Sequence, residues 1–287
     1  MVEAKEFIQS VKPNWCPGCG GFSVLNALTR SFSELDLEPH NIAAITGIGC
    51  SGRISGYLYS YGFHAIHGRA LPVAQGVKLA NNNLTVVAVG GDGDGLGIGL
   101  NHLMHAMRRN VDITYVIIDN HIYGLTKGQT SPTSPTGTVS KTTPGGSVEE
   151  VVPPLQLALS AGVGFLAQGY SGDPKQLARL IQAGIKYKGF SLIVALSTCV
   201  TYNKVNTMKW YRERLYNLEK DQGYSPDDRL KAINVVAEKN ELVTGIVYQK
   251  EKQRYGKLLT RSGDAVPVHQ DLTADKQLLD KLMTEFV

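Results

Sequence analysis

A chain of 287 residues has only four cysteines, Cys16, Cys19, Cys50 and Cys199, too few for a disulfide scaffold. No stretch reaches 18 uncharged apolar residues, so no membrane-spanning helix is expected. The opening MVEAKEFIQSVKPNW lacks the apolar run of a secretory leader. The formal charge is only +4, with no internal repeat, so nucleic acid is not argued for. The expectation is a cytoplasmic protein with neither a membrane nor a nucleic-acid partner, its thiols in a reducing compartment and free for metal or redox work.

What is present alternates. Residues 22–35 carry helical spacing, 42–47 form a short apolar run ending in glycine, and 70–82 look helical. Residues 84–91 (LTVVAVGG) form a β-branched run without alternation, as a strand buried on both faces requires. A helix over 96–109 and a similar strand over 112–119 follow. After a Thr-, Ser-, Pro- and Gly-rich segment, 124–147, come helix 151–162, strand 165–169, helix 173–187 and strand 190–197. Such alternation predicts an α/β fold, a mainly parallel sheet flanked by helices. Short helices are expected at 205–218 and 226–239, then a hairpin or extended arm from 243–248 and 255–268. The chain thus divides into a domain over 1–200 and a C-terminal extension, 201–287, packed on that domain or on a partner. Segment 124–147 is too long for an idle connector and is either functional or disordered.

Strand 84–90 ends in Gly91-Asp92-Gly93-Asp94-Gly95, where a helix begins. A glycine turn at a helix N-terminus offers free N–H groups and the positive end of the helix dipole to a phosphate. Carboxylates beside a phosphate need a cation, and Mg²⁺ held by a carboxylate and diphosphate oxygens meets that need. The next parallel strand ends at Asp119-Asn120, 28 positions after Asp92. Ends of adjacent strands lie side by side, so the Asn120 amide oxygen can reach the same cation, with a backbone carbonyl near Ile122 as a further ligand. The plainer reading is a generic acidic loop and a strand-end asparagine, and Asp94 suits a helix cap as well as a cofactor contact. GDG, 26 residues, then Asn resembles the cofactor motif of thiamine-diphosphate enzymes.

Cys16 and Cys19 form Trp15-Cys-Pro-Gly-Cys-Gly, while Cys50 and Cys199 each follow a strand, on the edge that carries Asp92 and Asn120. If the CxxC hairpin folds onto that edge, four thiolates converge, a set that holds Zn²⁺ or a [4Fe–4S] cluster. Spacing does not separate the two, and unligated thiols remain the bland alternative. A thiamine cofactor favours the cluster, because zinc has no redox chemistry.

WCPGCG (15–20), TGIGCSGR (46–53), HGRALPVAQGVKLAN (67–81), GDGDGLGIGLNH (91–102) and VIIDNHIYGLTKGQTSPT (116–133) together resemble the thiamine-diphosphate-binding β subunit of 2-oxoacid:ferredoxin oxidoreductases. The resemblance implies the diphosphate-binding domain of the thiamine-diphosphate fold. It also implies a reaction: a 2-oxoacid, coenzyme A and oxidised ferredoxin give acyl-CoA, CO₂ and reduced ferredoxin. By the motif match, Asp92 and Asn120 would hold Mg²⁺ by side chain and Ile122 by carbonyl, with Gly91, Gly93 and Asp94 along the diphosphate. Ile48, Gly49, Cys50, Ser51, Leu125 and Thr126 would pass near the cofactor, His67 would donate to the phosphate, and the four cysteines would hold the [4Fe–4S] cluster. The pyrimidine-binding domain and its activating glutamate would come from an α subunit, giving a heterodimer or α2β2 heterotetramer with no catalytic residue assigned to this chain.

Pyruvate-specific members tend to have a small residue where this chain has Lys127, so Lys127, helped by Arg53, would pair with the distal carboxylate of 2-oxoglutarate. Pyruvate or a broad range of 2-oxoacids is the nearest alternative, and a non-redox thiamine decarboxylase with structural zinc is a further one. The basic stretch 249–261, with Lys250, Lys252, Arg254, Lys257 and Arg261, reads as a solvated arm or as a dock for acidic ferredoxin.

Overall fold

Apolar runs build one sheet. The computed structural model describes residues 2–255, 266–271, 273 and 275–285. Its strands are β1 (Ile42–Thr46), β2 (Tyr61–His64), β3 (Thr85–Gly91), β4 (Ile113–Asp119), β5 (Phe165–Tyr170), β6 (Phe190–Leu196), β7 (Tyr216–Asn217) and β8 (Val243–Gln249). They lie in the order β2-β1-β3-β4-β6-β5-β8-β7. The six strands from β2 to β5 are parallel, and β8 runs antiparallel to β5. Every residue of β1, β4, β5 and β6 is buried, as helices on both faces demand.

Helices α1 (Gly20–Glu34) and α5 (Pro174–Lys186) cover one face with Val24, Leu28, Leu177 and Ile181. The opposite face takes α2 (Ala70–Ala80), α3 (Leu100–Arg109), α4 (Pro154–Ser160) and α7 (Arg229–Glu238). Each fully buried Leu or Ile contributes about 1.5–3 kcal/mol, so the two apolar layers dominate the stability. Helix starts follow their caps: Asp173 accepts from Gln176 N, and Asp228 accepts from Leu230 N and Lys231 N. Two further helices, α6 (Met208–Arg214) and α8 (Lys276–Thr284), lie in the C-terminal extension. Among the described residues no helix is long and apolar enough to cross a membrane.

Three expectations change. The helix placed at 96–109 is broken: Gly93–Ile98 forms a π-helical turn that departs from helical geometry at Gly97 (φ −86°, ψ −114°), and α3 starts at Leu100. Glycine at alternate positions from 91 to 99 is too weak a helix former to carry the regular helix further back. Residues 243–248 do not fold back as a hairpin; β8 pairs with β5 because Val243 and Val247 enter one apolar layer and Ile246 the other. Most of 255–268 lies outside the described residues, as do Lys257 and Arg261. Within the basic stretch, Lys252 Nζ donates to Gly162 O at 2.5 Å and Arg254 lies 3.9 Å from Asp112, so two of its charges face the body of this chain. Segment 124–147 is a folded loop: Gly137 N donates to Ser147 O and Ser147 N to Thr138 O.

One long-range cap joins the extension to the sheet. Helix α4 begins after Pro153 with no capping side chain of its own. The Glu241 carboxylate supplies it, accepting from Leu155 N at 2.7 Å and Gln156 N at 3.0 Å. Burial pushes the Glu241 carboxyl up from 4.5 to about 7, against the two N–H bonds that lower it. A folded pKa above the unfolded one means the folded chain binds the proton more tightly. This group's contribution is therefore present in acid and is lost as pH climbs from about 4.5 to about 7. In denaturant titrations Glu241→Gln is expected to reduce the fall in stability across that window. Its amide, like the protonated acid, accepts from only one of the two helix N–H groups, so the variant should compare best with the parent at pH 8, where it carries no charge to bury. An unchanged pH slope in the variant would exclude Glu241 as its source.

Candidate active site at the sheet edge

The C-terminal ends of β1, β3, β4 and β6 share one edge, where the loops after the first three strands and Ser197 after β6 line a single cleft. This is the general ligand position of open parallel sheets. Register decides what stands there. Gly91 pairs with Ile118, so the next residues, Asp92 and Asp119, stand side by side, each about 1–2% exposed. Burial first, and the Asp119 charge second, push the Asp92 carboxyl up to about 7. Three hydroxyl contacts offset this crowding. Ser131 Oγ donates to Asp92 Oδ2 at 2.5 Å, and Thr133 Oγ1 lies 2.8 Å from Asp92 Oδ2 and 2.7 Å from Asp119 Oδ1. The Asn120 amide oxygen accepts from Ile122 N at 3.1 Å, fixing the turn between these two lining residues of the cleft.

Asp94 caps no helix of its own. Its Oδ1 accepts from Ile48 N (3.0 Å) and Gly68 N (2.8 Å) and lies 3.1 Å from His67 Nδ1, so it ties the loops after β1 and β2 to the glycine turn. Glycine is required at two neighbouring points. A Cβ on Gly47 would lie 1.8 Å from Asp94 Oδ2, and one on Gly93 would lie 2.1 Å from the Tyr123 ring. Tyr123 in turn donates its hydroxyl to Gly93 O at 2.9 Å.

The CxxC hairpin reaches this edge because α1 begins against β6: Gly20 N donates to Thr198 O at 3.3 Å, and a Cβ on Gly20 would strike Ser197 Oγ. Trp15 holds the far side, its indole N–H donating to Cys50 O at 2.9 Å. A Cβ on Gly124 would lie 3.4 Å from Cys199 Sγ and 3.7 Å from Cys50 Sγ. Burial pushes the Cys50 thiol up to about 11, and the thiols of Cys19, Cys199 and Cys16 add to the rise. The four sulfurs therefore share one electrostatic neighbourhood. Among the described residues no three Cys, His, Asp or Glu side chains close to the radius of one ion.

All the residues expected near the cofactor line the cleft: Ile48, Gly49, Cys50, Ser51, His67, Gly91, Gly93, Asp94, Leu125 and Thr126. So do Asp92, Asn120, Ile122 and Cys19. Arg53 and Lys127 are exposed and are not among the lining residues. Sequence reasoning missed Trp15, Tyr123, Ser131 and Thr133 as site residues. Tyr123, Ser131 and Thr133 fall within the stretch 116–133 that carried the resemblance, but nothing in their spacing marks them as partners of the glycine turn.

Residues 47–195 match the family model described as thiamine pyrophosphate enzyme, C-terminal TPP binding domain. Residues 199–262 match the model for the C-terminal part of the pyruvate ferredoxin oxidoreductase beta subunit. The chain is 40% identical over 278 residues to 2-oxoacid:ferredoxin oxidoreductase 2, subunit beta, of Aeropyrum pernix, covering 95% of this chain and 85% of that one. It belongs to the 2-oxoacid:ferredoxin oxidoreductase beta subunits. Another relative is the 2-oxoglutarate synthase subunit KorB of Methanocaldococcus jannaschii, 39% identical over 75% of this chain and 82% of its own. Among solved structures, the 2-oxoglutarate:ferredoxin oxidoreductase of Magnetococcus marinus, with 2-oxoglutarate, coenzyme A and succinyl-CoA bound, superposes with a TM-score of 0.90. It is 37% identical, over 98% of this chain and 96% of that one.

For this beta subunit the glycine turn makes a direct test. Gly93→Ala is expected to destabilise by about 1–3 kcal/mol through overpacking. Tyr123→Ala should recover most of that loss in the double variant, because the clash lies with its ring. Additive losses in a double-mutant cycle of unfolding would place the strain elsewhere.

Proposed function

We propose that this beta subunit, joined to an α subunit, oxidatively decarboxylates 2-oxoglutarate with coenzyme A and passes the electrons through a [4Fe–4S] cluster to ferredoxin. The observation that carries the reading is the meeting of Cys50 and the glycine turn in one cleft, with the other three thiols close enough to perturb Cys50. When bound, thiamine diphosphate supplies the electron sink for decarboxylation and the cluster supplies an outlet for single electrons.

The residues suit those groups. Ser51 Oγ and Asp94 Oδ2 are buried without a hydrogen-bond partner, and both residues line the cleft. In this reading Asp92, Asn120 and the Ile122 carbonyl hold Mg²⁺, which shields the diphosphate from the carboxylates. Gly91 and Gly93 let the backbone approach the phosphates. Ile48, Gly49 and Ser51 flank the cofactor, and Leu125 and Thr126 close the cleft on the substrate side. His67 faces Asp94 with Nδ1, which leaves Nε2 for a diphosphate oxygen. Asp94 acts by ordering the loops around it. Cys16, Cys19, Cys50 and Cys199 hold the cluster. The activating glutamate belongs to the α subunit.

The choice of 2-oxoglutarate rests on Lys127. It sits at φ +78° beside Gly128 at +99°, a left-handed position where a non-glycine residue costs about 1 kcal/mol or more. A charged side chain in a place that favours glycine supports a role for the charge, and Arg53 would assist it at the rim.

Anaerobic co-purification with the α subunit should give a brown protein that bleaches with dithionite and reduces ferredoxin when 2-oxoglutarate and coenzyme A are added. A colourless protein with stoichiometric zinc would overturn the electron path. Lys127→Gly should leave stability unchanged or raised while KM for 2-oxoglutarate climbs far more than KM for pyruvate. Equal changes in the two KM values would remove Lys127 from substrate choice.

A further inference from the structure

We propose that Ser131 and Thr133 are positioning residues for the cation, clamping Asp92 by one carboxylate oxygen so that the other is turned to Mg²⁺. The proposal rests on the reading of the cleft as a thiamine-diphosphate site. Both hydroxyls approach the same atom, Asp92 Oδ2, at 2.5 and 2.8 Å, which leaves Oδ1 for a ligand in the cleft that Asp92 lines. Ser131 is 6% exposed and Thr133 is 1% exposed, so water does not compete for these bonds.

The hydrogens set the division of labour. Each hydroxyl has one to give. Thr133 touches both carboxylates, Ser131 only Asp92. Thr133's hydrogen is shared between Asp92 Oδ2 and Asp119 Oδ1, while Ser131 gives its hydrogen to Asp92 alone. Without the Ser131 hydroxyl, Thr133 would have one hydrogen for two buried carboxylates.

The clamp also joins the two arms of the proposed cation site. Ser134 Oγ donates to His121 O at 2.6 Å and accepts from Ser131 N at 2.8 Å, and His121 Nδ1 lies 2.8 Å from Thr133 O. The turn carrying Asn120 and Ile122 is thereby stitched to the segment that grips Asp92. Partners behind a metal ligand set its orientation, and losing one typically costs about 10–100-fold in metal affinity.

The test uses the full chain co-purified with its α subunit and freed of cofactor. Thiamine diphosphate binding is measured by calorimetry at a series of Mg²⁺ concentrations, with Mn²⁺ as a spectroscopic probe of metal affinity. Ser131→Ala and Thr133→Val should each raise the Mg²⁺ concentration for half-maximal binding about 10–100-fold and weaken Mn²⁺ to match. Thr133→Ser, which restores the hydroxyl, should stay close to the parent. An unchanged Mg²⁺ midpoint in both Ser131→Ala and Thr133→Val would overturn the clamp. So would weaker cofactor binding at saturating Mg²⁺ with the midpoint unmoved, since the hydroxyls would then shape the pocket and not the cation. If Thr133→Val fails to fold, Ser131→Ala decides alone. A parent that binds thiamine diphosphate with no need of a divalent cation would overturn the cofactor reading itself, a result distinct from failure of the clamp.

Discussion

Two buried carboxylates stand at the ends of neighbouring strands, and much of the local architecture follows from them. Parallel pairing of β3 with β4 brings Asp92 and Asp119 side by side, where burial and mutual repulsion raise Asp92 to about 7. An unpaired buried charge is expensive, and hydrogen bonds and opposite charge are the available remedies. The chain brings hydroxyls from 131–134 back across the strand ends. It also turns His121 through a left-handed φ of +57°, so that its backbone N–H reaches Asp119 Oδ1 at 3.2 Å. A cation would complete what the hydroxyls begin. The loop after β4 is therefore long because it must return to the charges it started from.

The cysteines obey a different constraint, since they come from separate places in the chain. Their meeting depends on contacts between small residues and backbone rather than on the thiols themselves. Gly20 lets α1 begin against Ser197, Gly124 leaves the space that Cys50 and Cys199 face, and the Trp15 indole pins the Cys50 carbonyl. Trp15 is held by Tyr57 and Phe22, with ring centroids 4.9 and 5.2 Å away. The Cys50 backbone is thus held by an aromatic wedge, and Trp15 of that wedge also lines the cleft. The glycine turn and the thiol group become neighbours because both occupy the C-terminal edge of one parallel sheet.

The sheet is legible in the sequence because its strands advertise burial on both faces: LTVVAVGG and VIID admit no other place in an α/β chain. The glycine turn is legible because its residues are consecutive and end a strand. β2 is not, since its four exposed residues carry no apolar signature, and it exists by pairing with β1. β8 reads as an arm because the sequence shows its β-branched residues but not which edge will take them. The π-helical turn reads as helix because the periodicity of Leu96, Leu100 and Leu103 continues through glycines that the backbone cannot keep helical.

Ser131 and Thr133 are illegible for another reason. Hydroxyl residues in a segment rich in Ser, Thr, Pro and Gly have the composition of an ordinary loop, and no periodicity ties them to a strand about 40 residues away. The demand they meet is nevertheless present in the sequence. Two parallel strands ending in Asp92 and Asp119 place two negative charges beneath the same loops, and buried carboxylates need donors. The donors have to lie in a segment long enough to cross two strand ends, and 124–147 is the polar segment that begins beside them. Asking where a buried charge finds its hydrogens narrows the search from the whole loop to its hydroxyls. Three of these, on Ser131, Thr133 and Ser134, are the ones the fold buries beside the two carboxylates.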